Sequence, residues 1–335
     1  MFSLATRFSI GALGAIAVSV QPPQDAESKI AFASRRDGNW EIYTMDAGGG
    51  RQTRLTTRDK QERFPLWSPD RSKIAFGSQV STADWDPWEL WVMDTDGTNA
   101  RKLCSRIEAK GLRQWSPDGM LIALTSSQDG NPEIYTVRAD GSEVKRLTRS
   151  PAEDRDPSWS LDGTHIAFSS KRDGNSEIYV MRADGSNQAR VTNHPADDGQ
   201  PVWSPRDQMI ALVSSRDGKR EIYLVRPDGR ELQRLTNDPT DDHVPVWSPD
   251  GSRIAFQATR GEEYDIEVVR VADRARTRLT TTPGYDGGQS WSPDGREIAF
   301  ISNRTGYDAV HVMNASDGRA RRLTTSASLN PAWWR

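Results

Sequence analysis

Cysteine is almost missing from this sequence: Cys104 is the single one in 335 residues. One thiol excludes an internal disulfide framework and a Cys-x-x-Cys redox pair. Histidine is nearly as scarce, with His165, His194, His243 and His311. No His-Glu-x-x-His, P-loop, Gly-x-Gly-x-x-Gly or Gly-x-Ser-x-Gly signature occurs. Charge of one sign is not in excess: 44 Lys and Arg face 47 Asp and Glu, for a net charge of −3. A phosphate-binding groove needs a basic stripe, so nucleic acid is not expected as a partner. Long apolar runs are absent too. The mild run at 8–20 is too short to span a bilayer comfortably.

What the sequence has in quantity is a repeat. Residues 156–192 hold four short strand-like runs, 158–160, 165–169, 177–181 and 189–192. Each is rich in Trp, β-branched or aromatic residues that suit a half-buried pleated surface. The turns between them carry Asp162-Gly163, Asp173-Gly174 and Asp184-Gly185. Asp-Gly between such runs is a strong hairpin signal. The unit therefore reads as a four-stranded antiparallel meander.

Its first-strand Trp recurs at Trp67, Trp115, Trp159, Trp203, Trp247, Trp291 and Trp333, at intervals of 48, 44, 44, 44, 44 and 42 residues. The second strand recurs as Ile166-Ala167-Phe168 and its copies, from Ile30-Ala31-Phe32 to Ile298-Ala299-Phe300. The third recurs as Glu177-Ile178-Tyr179 and decays to Asp265-Ile266-Glu267 and Ala309-Val310-His311. The fourth recurs as Arg190-Val191-Thr192, with Arg-Leu-Thr in five other copies and Lys102-Leu103-Cys104 in one. Cys104 is thus read as a small strand residue. A period in the low forties with four strands per unit predicts the blades of an all-β propeller. The chain enters on a second strand at Ile30 and leaves on a first strand at Trp333. Together these ends complete one blade, which predicts seven blades of four-stranded antiparallel sheet, closed by the C-terminal Trp strand joining the N-terminal blade. The alternative is six blades with a loose terminal meander, which would leave sheet edges open.

Residues 1–26 lie outside the repeat, and residues 27–335 form the expected propeller. Arg7, the apolar run 8–20 and the break at Gln21-Pro22-Pro23 resemble a secretory signal. The expected location is the periplasm or the exterior, with no integral membrane segment after signal removal.

Two features are candidate partner-binding sites. The second-to-third strand loop at 77–88 is four residues longer than its counterparts and carries Trp85, Asp86 and Trp88. Insertions in repeat proteins map to loops, where binding concentrates. The competing reading packs Trp88 on its own blade. The second feature lies five residues before each Trp, where Glu62, Lys110, Asp154, Asp198, Asp242, Asp286 and Ser328 stand. Glu62, Asp154, Asp198, Asp242 and Asp286 are expected near the mouth of a central channel, with Asp156, Asp197, Asp241, His194 and His243 close by. Such a ring could attract a partner segment or hold a cation. Asp before a turn also accepts hydrogen bonds from the backbone, which a repeated loop needs each time.

The repeat, with Trp-Ser-Pro-Asp-Gly intact at 115–119, 247–251 and 291–295 and Arg-Asp-Gly-Asn at 36–39 and 172–175, resembles that of the TolB-type (WD40-like) β-propeller family. The resemblance covers residues 28–335. That family generally has six blades and adds an N-terminal α/β domain. It implies a scaffold that binds a protein or peptide. The repeat is also similar to the propellers of prolyl-oligopeptidase-type peptidases. Oligogalacturonate lyases have a similar seven-bladed fold and rely on clustered His ligands. The expected function is a non-enzymatic, exported, monomeric scaffold for a protein or peptide, with no catalytic residue, metal or other cofactor. The alternative is a metal-assisted hydrolase or lyase acting on polysaccharide through an Asp/His cluster at the channel mouth.

Overall fold

The computed structural model describes residues 28–79, 88–108 and 114–334, and the regular elements among them are 28 β-strands. The unit around Trp159 shows the plan. Strand Asp154–Trp159 pairs antiparallel with His165–Ser170, that strand with Glu177–Arg182, and that one with Ala189–Arg190. The two middle strands are buried on both faces, with Ile166, Ala167, Phe168 and Ile178 all at 0% exposure. This is why they read as continuous apolar runs rather than alternating ones. The outer strand is two residues long and exposed, ending in Arg190. A short, charged edge of this kind discourages pairing with another molecule.

Three more sheets repeat that order from 198 to 322, each with its Trp strand at one edge. Between 61 and 146 two sets are joined into one eight-stranded sheet, because Arg101–Ile107 runs past its motif and Ile107 pairs with Ser126. The last strand, Ser328–Trp333, pairs antiparallel with Lys29–Ser34, so the two ends of the repeat share a sheet. The molecule is an all-β assembly of four-stranded antiparallel units.

Neighbouring units pack face to face. Trp159 and Phe168 pack with Ala123, Ile134 and Leu147 of the preceding unit, and Ile30 and Phe32 pack with Val310, Val312 and Trp333. A four-stranded sheet cannot bury its faces alone, so each stacking contact completes a core. The turn between third and fourth strands touches the neighbour through glycine. At Gly185, with φ +90°, a Cβ would stand 2.9 Å from the Leu147 carbonyl oxygen. Only a residue without a side chain combines that φ with that approach.

Six first strands are bent by a register shift two to three residues before the Trp, whereas the described strand Gln114–Trp115 shows none. Phe64, Asp156, Gln200, Val244 and Asn330 take φ of 52° to 58° there. The bend turns the second half of each of these first strands toward a common space. That space is a cavity of about 400 Å³ lined by residues of seven first strands, including Leu66, Trp115, Pro157, Val202, Val246, Ser290 and Ala332.

Candidate functional site

The repeated polar residues form a buried network before they form anything else. Glu177 opens its third strand at 0% exposure. It accepts from Arg190 Nη2 at 2.7 Å and from Thr192 Oγ1 at 2.6 Å. Thr192 Oγ1 in turn accepts from the Ile178 N–H at 2.9 Å, and Arg190 Nε donates to the Thr192 carbonyl at 2.7 Å. The Glu-Ile-Tyr and Arg-Val-Thr motifs are therefore two halves of one lock holding the outer strand. The same lock joins Glu133 to Arg146 and Thr148, and Glu221 to Arg234 and Thr236. Tyr179 completes it by donating to Asp173, and burial with that carboxylate pushes its hydroxyl up to about 12.

The acidic positions five residues before each Trp belong to the same layer. Glu62, Asp154, Asp198, Asp242 and Asp286 are 0–1% exposed. Asp154 pairs with Arg172 at 2.7 Å, Asp198 with Arg216 at 2.7 Å and Asp286 with Arg304 at 3.0 Å, and Glu62 pairs with Arg58. Ser328 takes the equivalent place in the last strand, opposite Ser34. Burial raises Glu62 and Asp242 to about 7, and it also pushes Asp154 and Asp198 upward despite their Arg partners. Desolvation thus outweighs the opposite charge. In each unit the carboxylate faces protein groups, not open solvent.

One unit departs from the pattern. Asp265 and Glu267 replace the third-strand Glu and Tyr, and Arg260 turns to them instead of to Asp242. Arg276, from the outer strand, lies 3.4 Å from Asp242 and pairs with Asp238 and Glu267. Glu221, Asp238 and Asp242 bring one carboxylate oxygen each within 4.8 Å, a spacing that a cation could bridge. The Arg276 guanidinium already supplies positive charge beside it. The sequence reading singled out Asp242 alone of these residues. The decay of Glu-Ile-Tyr to Asp265-Ile266-Glu267 was the available signal for the rest.

The predicted histidines have different partners. His194 Nδ1 accepts from the Ala196 N–H at 3.1 Å, and His243 lies beside Arg220. His311 is buried in a third strand, tilted over Phe300 with ring centroids 5.5 Å apart. Cys104 is a buried strand residue. Of the insertion, Trp88 opens strand Trp88–Asp94, is 8% exposed and meets Phe64 edge-on with centroids 5.3 Å apart. Trp85, Asp86 and Lys110, with residues 1–26, lie outside the described residues.

The cavity at the centre differs in character from the carboxylate layer. Its walls are the Trp, Pro and aliphatic residues at the ends of the first strands, such as Pro157, Pro201, Pro245 and Val246. Leu161, on its rim, is 53% exposed. Asp70, Asp118 and Asp162 directly follow the lining residues Pro69, Pro117 and Leu161 in Ser-x-Asp turns, and there, as at Asp250 and Asp294, hydrogen bonds from neighbouring hydroxyl and backbone groups hold the carboxyl groups below the usual range. The site is a largely apolar cavity, with aspartate turns following lining residues at Pro69, Pro117 and Leu161.

Stacked four-stranded meanders around such a channel define a β-propeller. The family description of the TolB beta propeller domain matches residues 89–243, 187–263 and 242–334, and the chain belongs to that family. No curated protein matches the chain in sequence. Among solved structures, TolB from Acinetobacter baumannii is similar with a TM-score of 0.58 and 20% identity, over 91% of this chain and 66% of that one. An oligogalacturonate lyase in complex with manganese is similar with a TM-score of 0.63 and 17% identity, over 88% and 85% of the two chains. The β-propeller domain of the Trilobed protease from Pyrococcus furiosus aligns with a TM-score of 0.65 and 14% identity, over 89% and 95%. At these identities the likeness is one of fold. No helix among the described residues is long and apolar enough to cross a membrane.

Proposed function

We propose that this protein is an exported, seven-bladed propeller that binds a protein or peptide segment at its channel and performs no catalysis of its own. The observation that carries this reading is the cavity itself: an apolar space of about 400 Å³ walled by Trp, Pro and Val, with the turn aspartates Asp70, Asp118 and Asp162 next in sequence to its lining. An apolar anchor flanked by Lys or Arg fits such a mouth, by burial at the centre and charge at the rim. Residues of seven first strands around one cavity support seven blades, and the pairing of Ser328–Trp333 with Lys29–Ser34 supports closure. The Glu62, Asp154, Asp198, Asp242 and Asp286 layer then keeps the ring rigid and contributes to partner binding indirectly. Trp85 and Asp86 of the insertion add a second contact. The deciding experiment captures partners from the native periplasm with wild type, with Leu161→Asp and with Trp85→Ala. A partner lost with Leu161→Asp supports the channel. A partner retained by it and lost with Trp85→Ala moves the site to the insertion. Sequencing the N-terminus of the secreted chain tests export, with a start near residue 27 expected.

The Glu221, Asp238 and Asp242 grouping supports a second reading, metal-assisted chemistry on polysaccharide. Purified protein holding a stoichiometric divalent ion, released with loss of thermal stability by EDTA, would favour it over the scaffold.

A further inference from the structure

The seam where the last unit meets the first has lost both acids of the carboxylate layer and kept both arginines. In the ordinary arrangement Glu177 pairs with Arg190, and Asp198, on the next unit's first strand, lies beside Glu177 and Thr192 and pairs with Arg216. Strand register fixes the counterparts at the seam. Ser328 stands opposite Ser34 as Asp198 stands opposite Ser214, and Ala309 opposite Ser302 as Glu177 opposite Ser170. Arg322 stands opposite His311 as Arg190 opposite Tyr179. Arg36 follows Ser34 by two residues, as Arg216 follows Ser214. Elsewhere acid and arginine change together: Lys110 takes an acid's place in the sequence, and Gln128 takes the arginine's. At the seam only the acids have gone.

Arg36 is held in place without an ion pair. Its Nε donates to Ser34 Oγ at 3.1 Å and its Nη1 to Gln52 Oε1, and the guanidinium lies 4.6 Å from the Tyr43 ring centroid. The same contacts, to Ser170, Gln188 and Tyr179, hold Arg172, whose Nη2 then reaches Asp154 at 2.7 Å. The Nη2 edge of Arg36 meets no acceptor among the described residues. Asp37, next in the chain, accepts from Tyr43 and lies 3.6 Å from Arg54 Nη1. The Ser34, Ser326 and Ser328 hydroxyls bond to one another and to the Ser326 and Ala327 carbonyls. Thr324 Oγ1 accepts from the Val310 N–H at 3.0 Å, but Ala309 replaces the carboxylate that takes the hydroxyl hydrogen in other units. The Arg322 guanidinium meets the Tyr307 hydroxyl at 3.4 Å and no carboxylate among the described residues. Both arginines are exposed, so an anion in solution can reach them. A guanidinium already fixed, with one edge open, binds a carboxylate with little rotamer freedom left to lose.

We infer that this seam is a binding site for a carboxylate from outside the chain, which takes the Nη2 edge of Arg36 as Asp198 takes that of Arg216. The repeat itself defines the ligand chemistry, because the equivalent arginine meets a carboxylate at Asp154, Asp198 and Asp286. Arg36 lies at the Ser328 end of strand Ser328–Trp333, whereas the Trp ends of the first strands wall the cavity. The site therefore stands independently of the channel. A free carboxylate and the acidic side chain of a peptide share the chemistry it selects.

The test titrates the full chain with acetate, followed by broadening of the acetate methyl proton resonance at fixed chloride concentration. Parallel titrations use N-acetyl-aspartate methylamide and, as the neutral control, N-acetyl-asparagine methylamide. Saturable acetate binding is expected, weakened about ten-fold or more in Arg36→Gln, as for one lost charged hydrogen bond. Ser328→Asp should weaken it as much, because it restores the acid of the repeat and supplies the carboxylate from within. Binding unchanged in Arg36→Gln refutes the site, and this exposed position decides the matter if Ser328→Asp fails to fold. Binding unchanged in a folded Ser328→Asp variant also refutes it, as does the absence of saturable binding by both acetate and the aspartyl probe. Tighter binding of the aspartyl probe than of acetate, with none by the asparaginyl control, assigns the carboxylate to a peptide side chain. Equal binding assigns it to a free anion, and either result upholds the site.

Discussion

Two tryptophans at equivalent places should respond differently to the same substitution. Trp247 and Trp203 are 3% and 5% exposed, each packed between neighbouring units. Trp247 Nε1 donates to the Val202 carbonyl at 3.0 Å, whereas Trp203 Nε1 has no partner and the Trp203 backbone N–H donates to Ser158 Oγ at 3.1 Å. The residue before the preceding Trp decides which occurs. An apolar one (Leu66, Val202, Val246 or Ala332) leaves its carbonyl to the next indole. A polar one (Gln114, Ser158 or Ser290) caps the next Trp through its side chain. Trp→Phe removes similar packing at both sites. At 247 it also breaks the indole bond to the Val202 carbonyl, which keeps its ladder partner Ala211, while at 203 it removes an orphaned buried donor. Taking about 1 kcal/mol for the bond and about 1–3 kcal/mol for an unpaired buried group, Trp247→Phe should cost at least about 2 kcal/mol more than Trp203→Phe. Equilibrium urea denaturation of the two variants, with unchanged slopes, measures the difference. Equal costs, or a larger one at 203, would refute the account of the interface.

Asp198→Ala strands the buried Arg216 guanidinium and should cost about 3–5 kcal/mol, whereas Asp198→Asn should cost under about 1.5 kcal/mol because burial already favours the neutral form; denaturant midpoints check the ratio. Glu62 and Asp242 hold their protons to about pH 7 when folded, against ordinary values of 4.5 and 3.8. Their contribution to stability is therefore full below about pH 4 and is lost as pH rises through 7. Melting curves from pH 4.5 to 8 should show that decline, and Glu62→Gln with Asp242→Asn should flatten it. Trp88→Ala should cost about 3–5 kcal/mol, since the ring is buried against Phe64. Calorimetry that finds this variant as stable as wild type would return Trp88 to the surface.

The strand order, the Trp interfaces and the family were legible because each is written seven times. A single Asp-Gly turn is weak evidence, but a turn recurring at a fixed period specifies a stacked architecture, since one sheet cannot bury its own faces. Cys104 and His311 read correctly as strand residues because they occupy known places in that pattern. The acidic positions were located by spacing, yet their surroundings were not. Asp154 sits 18 residues before Arg172, and only the pairing of Asp154–Trp159 with His165–Ser170 brings them to 2.7 Å.

Local sequence also could not reveal the positive-φ bends at Phe64, Asp156, Gln200, Val244 and Asn330. Side chains so different share no local preference for that conformation; the mismatch between a bent strand and its straight partner imposes it. The linear repeat determined which strands exist and how they pair. Tertiary packing alone decided which polar groups are consumed between and within the units, as Asp154 is by Arg172 and Glu177 by Arg190. Satisfaction of a buried group depends on neighbours that are distant in sequence.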